Sequence, residues 1–191
     1  MQFINTAVDG VLIIEPQVHG DERGYFVETF RQDKLEAFIG HKIHFCQDNE
    51  SKSSRGVLRG LHYQLAPAAQ TKLVRVIQGS VLDVAVDIRK GSPTFGQHVA
   101  VELSAENKKQ MLVPRGFAHG FVVLEDDTIF AYKVDNYYSP ENDRGIAFDD
   151  EALGIDWTVP TEELLLSAKD KVQLNLAETD DIFKYGVNYY V

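Results

Sequence analysis

The stretch that decides the fold is Val81-Leu82-Asp83-Val84-Ala85-Val86-Asp87-Ile88, near the middle of the 191-residue chain. Every second residue from Leu82 to Ile88 is a large aliphatic one, so these side chains share one face of an extended strand. Asp83 and Asp87 fall on the opposite face, with an alanine between them. A period of two residues is typical of a β-strand and predicts that the chain is built on sheets.

Further short strands are predicted on both sides of this stretch. The apolar run 73–77 leads into it through Gln78-Gly79-Ser80, which we interpret as a hairpin turn. Short alternating or apolar segments follow at 97–103, 110–113 and 121–124, and another at 128–134 after the acidic turn 125–127. Many short strands separated by turns predict an all-β, antiparallel sandwich or barrel and not a fold of alternating strands and helices.

Helical signals are few and short. Asp33 and Glu36 are spaced as an N-terminal capping pair before Gly40, which predicts one helix over 33–40. The tail from Thr161 is richer in Leu, Lys and Glu, and we expect a helical turn or two there. Because no repeat, low-complexity tract or linker interrupts the sequence, we expect one domain over 1–191, with its barrel core at about 45–140.

The composition is that of an acidic globular protein. The chain has 19 basic and 29 acidic residues, a formal net charge of −10, which argues against binding to nucleic acid or an anionic membrane. Cys46 is the only cysteine, so no intrachain disulfide can form. No apolar run approaches the ~18 residues needed to span a membrane, and the N-terminus lacks signal-peptide features, so we expect a cytoplasmic protein.

Three segments carry side chains suited to proton transfer. Histidine accepts a proton near neutral pH, which makes His62, within 57–64, a candidate base. His119, in a turn framed by glycines, is a candidate base, substrate donor or metal ligand, and Tyr132 is a candidate acid. For all three residues a purely structural role stays open: a hydrogen-bonded barrel histidine, a histidine in a tight turn and a packed core tyrosine.

Basic residues flank these segments, and a convergent set of them would form a phosphate site inside an acidic protein. They are Arg23, Arg59, Lys72 and Lys169. A metal site is not expected, because Gln64 stands where a paired histidine would follow His62, and the other histidines show no paired ligand spacing. No glycine-rich phosphate loop or dinucleotide-binding pattern is present either.

Taken together and in order along nearly the whole chain, these segments resemble the dTDP-4-dehydrorhamnose 3,5-epimerase family. The matching segments are Gly20-Asp21-Glu22-Arg23-Gly24-Tyr25-Phe26, Gln47-Asp48-Asn49, Val57-Leu58-Arg59-Gly60-Leu61-His62, Asp87-Ile88-Arg89, Ser92-Pro93-Thr94-Phe95-Gly96, Gly116-Phe117-Ala118-His119-Gly120-Phe121, Asn136-Tyr137-Tyr138-Ser139-Pro140 and Ser167-Ala168-Lys169-Asp170. The resemblance implies a cupin-like jelly-roll β-barrel with a few short peripheral helices, a homodimer, and no metal or cofactor.

The resemblance also implies a reaction and roles for residues. The substrate would be dTDP-4-dehydro-6-deoxy-D-glucose, epimerised at C3 and C5 through an enolate to dTDP-4-dehydro-L-rhamnose in dTDP-L-rhamnose biosynthesis. His62 matches the base and Asp170 the group that orients it. Tyr132 matches the acid on the opposite face, with Tyr138 as the alternative, and Lys72 matches a cation near the C4 oxygen.

Other positions match substrate contacts of that family: Arg23, Phe26, Glu28, Gln47, Asp48, Asn49, Arg59, Lys72, His119, Tyr138, Asp143 and Lys169. Members of the family often have glutamate at the position of Asp143. The Asp143-Arg144-Gly145 stretch also departs from the family pattern, so the nucleotide end is the part of the substrate whose binding we expect to differ.

Three alternatives remain open from the sequence. One is a relative that inverts only C3 or only C5 for another deoxysugar pathway, since one base and one acid serve both carbons. A second is a different cupin enzyme, such as a metal-dependent oxygenase, against which the missing paired histidines count. A third is a non-catalytic module that binds a nucleotide sugar, which would need no opposed acid and base.

Overall fold

Two six-stranded sheets make up most of the computed structural model, which describes residues 1–190. The first sheet has the strand order β1 (Gln2–Asn5), β2 (Leu12–Glu15), β11 (Gln110–Val113), β7 (Lys72–Gln78), β13 (Thr128–Val134) and β5 (Gln47–Ser53). The second has the order β10 (His98–Ser104), β8 (Ser80–Asp87), β12 (Phe117–Val123), β6 (Val57–Gln64) and β14 (Asp143–Gly145), with β15 (Leu165–Leu166) parallel to β6. All other pairings within these sheets are antiparallel, as the strand pattern predicts, and the protein is a cupin-like jelly roll, as the family resemblance implies.

Smaller elements lie around the two sheets. A separate hairpin is formed by β3 (Val18–Asp21) and β4 (Gly24–Val27), and a two-stranded parallel pair by β9 (Arg89–Lys90) and β16 (Phe183–Lys184). The helices are α1 (Gln32–Ile39) and the 3₁₀ turns Thr161–Glu163, Asp170–Val172 and Leu176–Glu178. Within the described residues, none of these helices is both long and apolar enough to cross a membrane.

The apolar core forms three layers. The middle layer lies between the sheets, where Phe130 of the first sheet packs among Ala85 and Phe121 of the second. One outer layer covers the first sheet with α1, through Leu35 packed on Leu73 and Leu112. The other covers the second sheet with the C-terminal third of the chain. The second sheet is therefore buried on both faces over much of its area.

The deciding strand, β8, follows its predicted parity. Val84, Val86 and Ile88 point into the outer layer with the C-terminal third, whereas Ala85 joins the middle layer. Asp83 and Asp87 share the middle-layer face and are both fully buried. Such burial is tolerated because each carboxylate accepts hydrogen bonds from neighbouring polar groups.

The predicted hairpin at Gln78-Gly79-Ser80 is wrong. The strand before it, β7, pairs with β11 and β13, whereas the strand after it, β8, pairs with β10 and β12 of the other sheet. Gly79 adopts φ +75°, and a Cβ at this position would lie 2.2 Å from the Thr128 hydroxyl. The chain turns a corner between sheets here, and only glycine allows both that backbone conformation and the close approach.

Two other boundaries differ from the sequence prediction. The helix begins at Gln32, and Asp33 lies inside its first turn, so the residue at the N-cap is Arg31, which makes no capping hydrogen bond. Gly40 ends the helix in the left-handed conformation, as predicted. The strand predicted at 121–124 begins already at Phe117, so His119 lies within β12 and not in a turn.

Two glycines let β6 and β12 approach closely. A Cβ on Gly60 would lie 2.5 Å from the Cα of Gly120, and one on Gly120 would lie 2.8 Å from the carbonyl oxygen of Arg59. This contact falls where the register of the two strands shifts, between the pairs His119–His62 and Phe121–Arg59. The two histidines therefore lie side by side on adjacent strands.

Candidate active site

A cleft between the two sheets brings together the residues suited to proton transfer. It consists of two adjoining cavities of about 440 Å³ each, and His62, Lys72 and Tyr132 line both of them. The inner cavity is floored by apolar rings, Phe121 and Phe130. The outer one is lined mainly by polar side chains.

His62 enters the cleft from β6. Its neighbours Leu61 and Tyr63 pack into the outer layer, so the alternation of the strand directs His62 to the opposite face. Its Nε2 lies 2.5 Å from Oδ1 of Asp170, whose side chain is only 3% exposed. The second oxygen of Asp170 accepts a hydrogen bond from the Ser167 hydroxyl at 2.7 Å.

These contacts fix the charge of Asp170. Burial on its own would raise the pKa of this carboxyl, but the hydrogen bonds from His62 and Ser167 outweigh it and lower the pKa below its usual range. The carboxylate therefore stays ionised and holds the imidazole of His62 in one orientation.

Tyr132 reaches the cleft from β13 of the facing sheet, so its phenol lies across the cleft from the imidazole of His62. Its ring packs against that of Phe130 with the centroids 6.0 Å apart. Burial raises the pKa of Tyr132, which keeps the phenol protonated at neutral pH. A neutral phenol opposite a histidine is the arrangement that proton exchange at one carbon from two sides requires.

Lys72 is the first residue of β7, between Val113 of β11 and Val134 of β13. Burial lowers the pKa of Lys72 to about 8, against the opposing effect of the carboxylates of Asp143 and Asp83. The amine is thus still mostly charged at neutral pH, in surroundings dry enough for that charge to act strongly on a bound oxygen.

His119 lines the inner cavity from β12. Its hydrogen-bond partner is Asp83, for which no functional role was predicted. Its Nε2 lies 2.9 Å from Oδ1 of the fully buried Asp83. Burial raises the pKa of Asp83, and the charge of His119 works in the opposite direction. The second oxygen of Asp83 has no hydrogen-bond partner among the described residues.

Besides Lys72, the outer cavity gathers five other predicted substrate contacts: Gln47, Asn49, Tyr138, Asp143 and Lys169. Asp143 accepts a hydrogen bond from the Tyr138 hydroxyl at 3.1 Å and also pairs with Lys169. The Asp143 carboxylate raises the pKa of Tyr138. Arg59 lines the inner cavity and donates to the Ser53 hydroxyl at 3.3 Å.

Four predicted contacts do not lie in the cleft of this chain. Asp48 points away from it, because it alternates with Gln47 and Asn49 on β5, and it pairs with Lys133. Glu28 pairs with Arg31 and Lys34. The other two contacts lie on the hairpin β3–β4. Arg23 pairs there with Asp21, and Phe26 is 71% exposed.

The sequence analysis gave no role to Ser167 or Asp83. Both were inside segments that it used for other reasons, Ser167 in a family match and Asp83 in the deciding strand. The feature that could have identified Asp83 was its acidic side chain in the middle of a mostly apolar predicted strand. Among residues 1–190, no group of three or more His, Cys, Asp or Glu side chains is placed to hold a metal ion.

The chain matches known sequences over most of its length. A family model described as dTDP-4-dehydrorhamnose 3,5-epimerase matches residues 5–178. The dTDP-4-dehydrorhamnose 3,5-epimerase of Shigella flexneri is 57% identical over 170 residues, which are 89% of this chain and 93% of that protein.

Solved structures with the same fold include enzymes of two specificities. A dTDP-6-deoxy-D-glucose-3,5-epimerase from Legionella pneumophila Philadelphia 1, in complex with dTDP-4-keto-L-rhamnose, is 49% identical with a TM-score of 0.93, over 97% of this chain and 99% of that one. A 3′-monoepimerase from Streptomyces bikiniensis, in complex with dTDP-quinovose, is 35% identical with a TM-score of 0.85, over 91% of this chain and 87% of that one.

Proposed function

Because the chain belongs to the dTDP-4-dehydrorhamnose 3,5-epimerase family, we propose that its cleft epimerises dTDP-4-dehydro-6-deoxy-D-glucose at C3 and C5. The product is dTDP-4-dehydro-L-rhamnose, an intermediate of dTDP-L-rhamnose biosynthesis. One observation carries the proposal: His62, held by Asp170, faces Tyr132 across a cleft that also contains Lys72.

The residue types suit the chemistry of a ketosugar. The C4 ketone acidifies the hydrogens on C3 and C5, so His62 removes one of them and leaves an enolate whose charge lies on the C4 oxygen. Lys72 stabilises that oxygen, and one such donor in a partly dry site contributes roughly 3 kcal/mol to the transition state.

Reprotonation from the other face inverts the carbon. Tyr132 gives its phenolic proton to the carbon that His62 has deprotonated, so one C–H bond breaks and another forms at the same position. The reaction is redox-neutral and needs no co-reactant. Before the second carbon reacts, His62 releases its proton to solvent and Tyr132 takes up a proton from solvent.

The cleft has groups suited to the nucleotide end of the substrate. Arg59, in the inner cavity, and Lys169, in the outer one, are cations that can pair with the diphosphate. Gln47, Asn49 and Tyr138 offer hydrogen-bonding and stacking groups in the outer cavity. Asp143, which is shorter by one methylene than the glutamate often found in the family, lines the same cavity and pairs with Lys169.

A homodimer would account for two of the predicted contacts that lie outside the cleft, Arg23 and Phe26. The hairpin β3–β4 exposes two aromatic rings, Tyr25 at 61% and Phe26 at 71%, next to Arg23. Large aromatic side chains are rarely so exposed on a monomer and are enriched at protein interfaces. We propose that this hairpin docks on a second copy and completes the partner's cleft, and that the dimer acts in the cytoplasm on the free nucleotide sugar.

A single-carbon epimerase is the second candidate. It is favoured by the similarity to the Streptomyces bikiniensis 3′-monoepimerase, since the same fold supports both outcomes. The cleft geometry does not separate the two, because one base and one acid act at either carbon.

Deuterium incorporation tests the proposal and separates the candidates. The protein is incubated with dTDP-4-dehydro-6-deoxyglucose in D2O, the product is trapped by reduction, and the label is located by NMR. Label at both C3 and C5 supports the double epimerase, and label at one carbon identifies a single-site enzyme. No label above the level without protein contradicts the proposal and favours a binding module.

A substitution tests whether His62 is the base responsible for the deuterium incorporation. His62→Ala should lower the rate of incorporation by ~10² or more, because it removes the base and leaves the fold intact. His44→Ala is the matched control, since His44 is exposed and lines neither cavity of the cleft. Equal losses in both variants would show that His62 has no special role.

A further inference from the structure

The last residues of the chain line a separate cavity, of about 520 Å³, which shares no residue with the cleft. We call residues 185–190 the C-terminal strap. The family match ends at residue 178, so the strap lies beyond the part of the chain that matches the family model.

Tyr190 anchors the strap in a polar network. Its hydroxyl lies 3.0 Å from that of Thr71 and accepts a hydrogen bond from the backbone N–H of Arg115 at 3.3 Å. The ring of Tyr190 packs against His41, with centroids 4.4 Å apart, and under the guanidinium of Arg115, 4.9 Å away. Arg115 also donates to the carbonyl oxygen of Tyr189 at 2.5 Å.

The same network continues through a buried ion pair. Arg115 contacts Asp135 at 3.2 Å, and their side chains are 14% and 3% exposed. Asp135 in turn accepts a hydrogen bond from the backbone N–H of Thr71 at 2.6 Å, and its own N–H donates to the carbonyl oxygen of Thr71. Thr71 is therefore held by the strap on one side and by Asp135 on the other.

This network lies next to Lys72, at the ends of three strands of the first sheet. The strand ends Val113, Lys72 and Val134 lie side by side in the first sheet. Thr71 precedes Lys72 in the chain, Asp135 follows Val134, and Arg115 is two residues after Val113. Thr71, Arg115 and Asp135 thus lie just beyond the ends of three neighbouring strands. The contacts of Tyr190 connect these segments next to Lys72, where its side chain enters the cleft.

We propose that Tyr190 is a positioning residue for the epimerisation, and that its hydroxyl holds Thr71 so that the Lys72 amine stays aligned with the C4 oxygen. The inference rests on the proposed function, in which Lys72 stabilises the enolate. Tyr190 touches no substrate. It acts through the backbone at Thr71, and small misplacements of a catalytic group reduce rates strongly.

Tyr190→Phe tests the proposal with the least change to packing. It removes the hydroxyl and keeps the ring against His41 and Arg115. Thr71→Val removes the other hydroxyl of the same pair, and Thr71→Ser keeps it. Tyr185→Phe is the matched control, because Tyr185 belongs to the same strap but is 46% exposed and packs on Arg89, away from Thr71.

We expect kcat to fall roughly tenfold in Tyr190→Phe and in Thr71→Val, with KM within about twofold of the original value. The double variant should lose no more than Tyr190→Phe alone, because Thr71→Val removes one of the two hydrogen bonds that Tyr190→Phe removes. Thr71→Ser and Tyr185→Phe should keep kcat. Amide hydrogen exchange at Thr71 should become faster in the two impaired variants.

Different failures have different meanings. Unchanged kcat in Tyr190→Phe, with an active original protein, overturns the positioning role even if the melting temperature falls. A rise in KM alone also overturns it, because misaligned Lys72 affects the enolate and not binding. If the original protein shows no epimerisation, the proposed function fails, and the exchange rate at Thr71 still reports whether Tyr190 fixes this backbone.

Discussion

Two histidines on adjacent strands differ in ways that suit different roles. His62 and His119 are register partners on β6 and β12, and each is hydrogen-bonded to a buried carboxylate. The side chain of His62 is 28% exposed, whereas that of His119 is 7% exposed. A substrate in the cleft can therefore meet the imidazole of His62, while His119 is fixed in the wall beside it. The difference in exposure supports His62, and not His119, as the proposed base.

Asp170→Asn should lower kcat by about 10²-fold or more, because an amide neither fixes the imidazole tautomer nor stabilises its protonated form. Steady-state kinetics at neutral pH measure the effect. Asp149→Asn, at an exposed position, is the control and should behave like the original protein. Comparable rates for both variants would contradict a role of Asp170 in orienting His62.

The charge of Lys72 should set an upper pH limit for the reaction. Its pKa is about 8, so the amine is charged below that pH and loses its proton as the pH rises through it. Because the charged form is the one proposed to stabilise the enolate, kcat/KM, which reports ionisations of the free protein, should decline above about pH 8. Lys72→Arg keeps its charge and should move this decline to higher pH, at a lower maximal rate. A pH profile of kcat/KM that is the same in both proteins would assign the decline to another group.

At the scale of the elements, the close approach of β6 and β12 fixes the distance between the two histidines. A methyl group on Gly120 would lie 2.8 Å from the carbonyl oxygen of Arg59 and 3.1 Å from the Cα of Gly60. Since the contacted atoms are backbone, the strands can relieve the clash only by moving apart. Such a movement would displace His62 and His119 together.

Gly120→Ala should therefore lower the free energy of unfolding by about 1–3 kcal/mol and reduce kcat as well. Urea denaturation and steady-state kinetics measure the two effects. Gly20→Ala is the control for stability, because its Cβ would meet only one atom, at 3.6 Å. Full stability and activity of Gly120→Ala would show that the strands can separate without cost.

The positions of several strands could be predicted from the sequence, whereas their pairing partners could not, and the difference has a physical reason. Strands such as β8 and β10 were evident because their period of two is a local property. The choice of partner is not local. The hairpin assigned at Gly79 was wrong because burial of both faces of β8 decided its sheet.

The same distinction holds for the candidate site. His62 and Tyr132 stood out by residue type, and the family resemblance supplied Asp170 and Lys72. The pairing of Asp83 with His119 joins residues 36 positions apart in the chain, and no spacing rule indicates such a contact. The separation of Arg23 and Phe26 from the cleft also became visible only in three dimensions.

At the scale of the whole molecule, charge is distributed unevenly. The chain carries a net charge of −10, whereas the cleft is lined by three cations, Arg59, Lys72 and Lys169, and by three carboxylates. The carboxylates are those of Glu50, Asp143 and Asp170. The lining is thus balanced in charge, and an anionic diphosphate sugar meets less repulsion in the cleft than over the rest of the acidic surface.

Mixed dimers test whether Arg23 completes the partner's cleft. His62→Ala and Arg23→Ala should each have low activity alone. If each cleft combines His62 of one subunit with Arg23 of the other, a mixed dimer has one cleft with both changes and one with neither. Refolding the two variants together in equal amounts should then restore about a quarter of the original activity. No restoration would place both residues in the cleft of the same chain.

The outer layer on the second sheet has a consequence during synthesis. Val84, Val86 and Ile88 are covered by residues that come much later in the chain, including Trp157, Leu176 and Phe183. A nascent chain that has emerged only as far as β13 can form most of both sheets but leaves this aliphatic face bare. Until translation delivers residues 157–183, that face stays exposed as an apolar surface of the kind that chaperones and other unfinished chains bind.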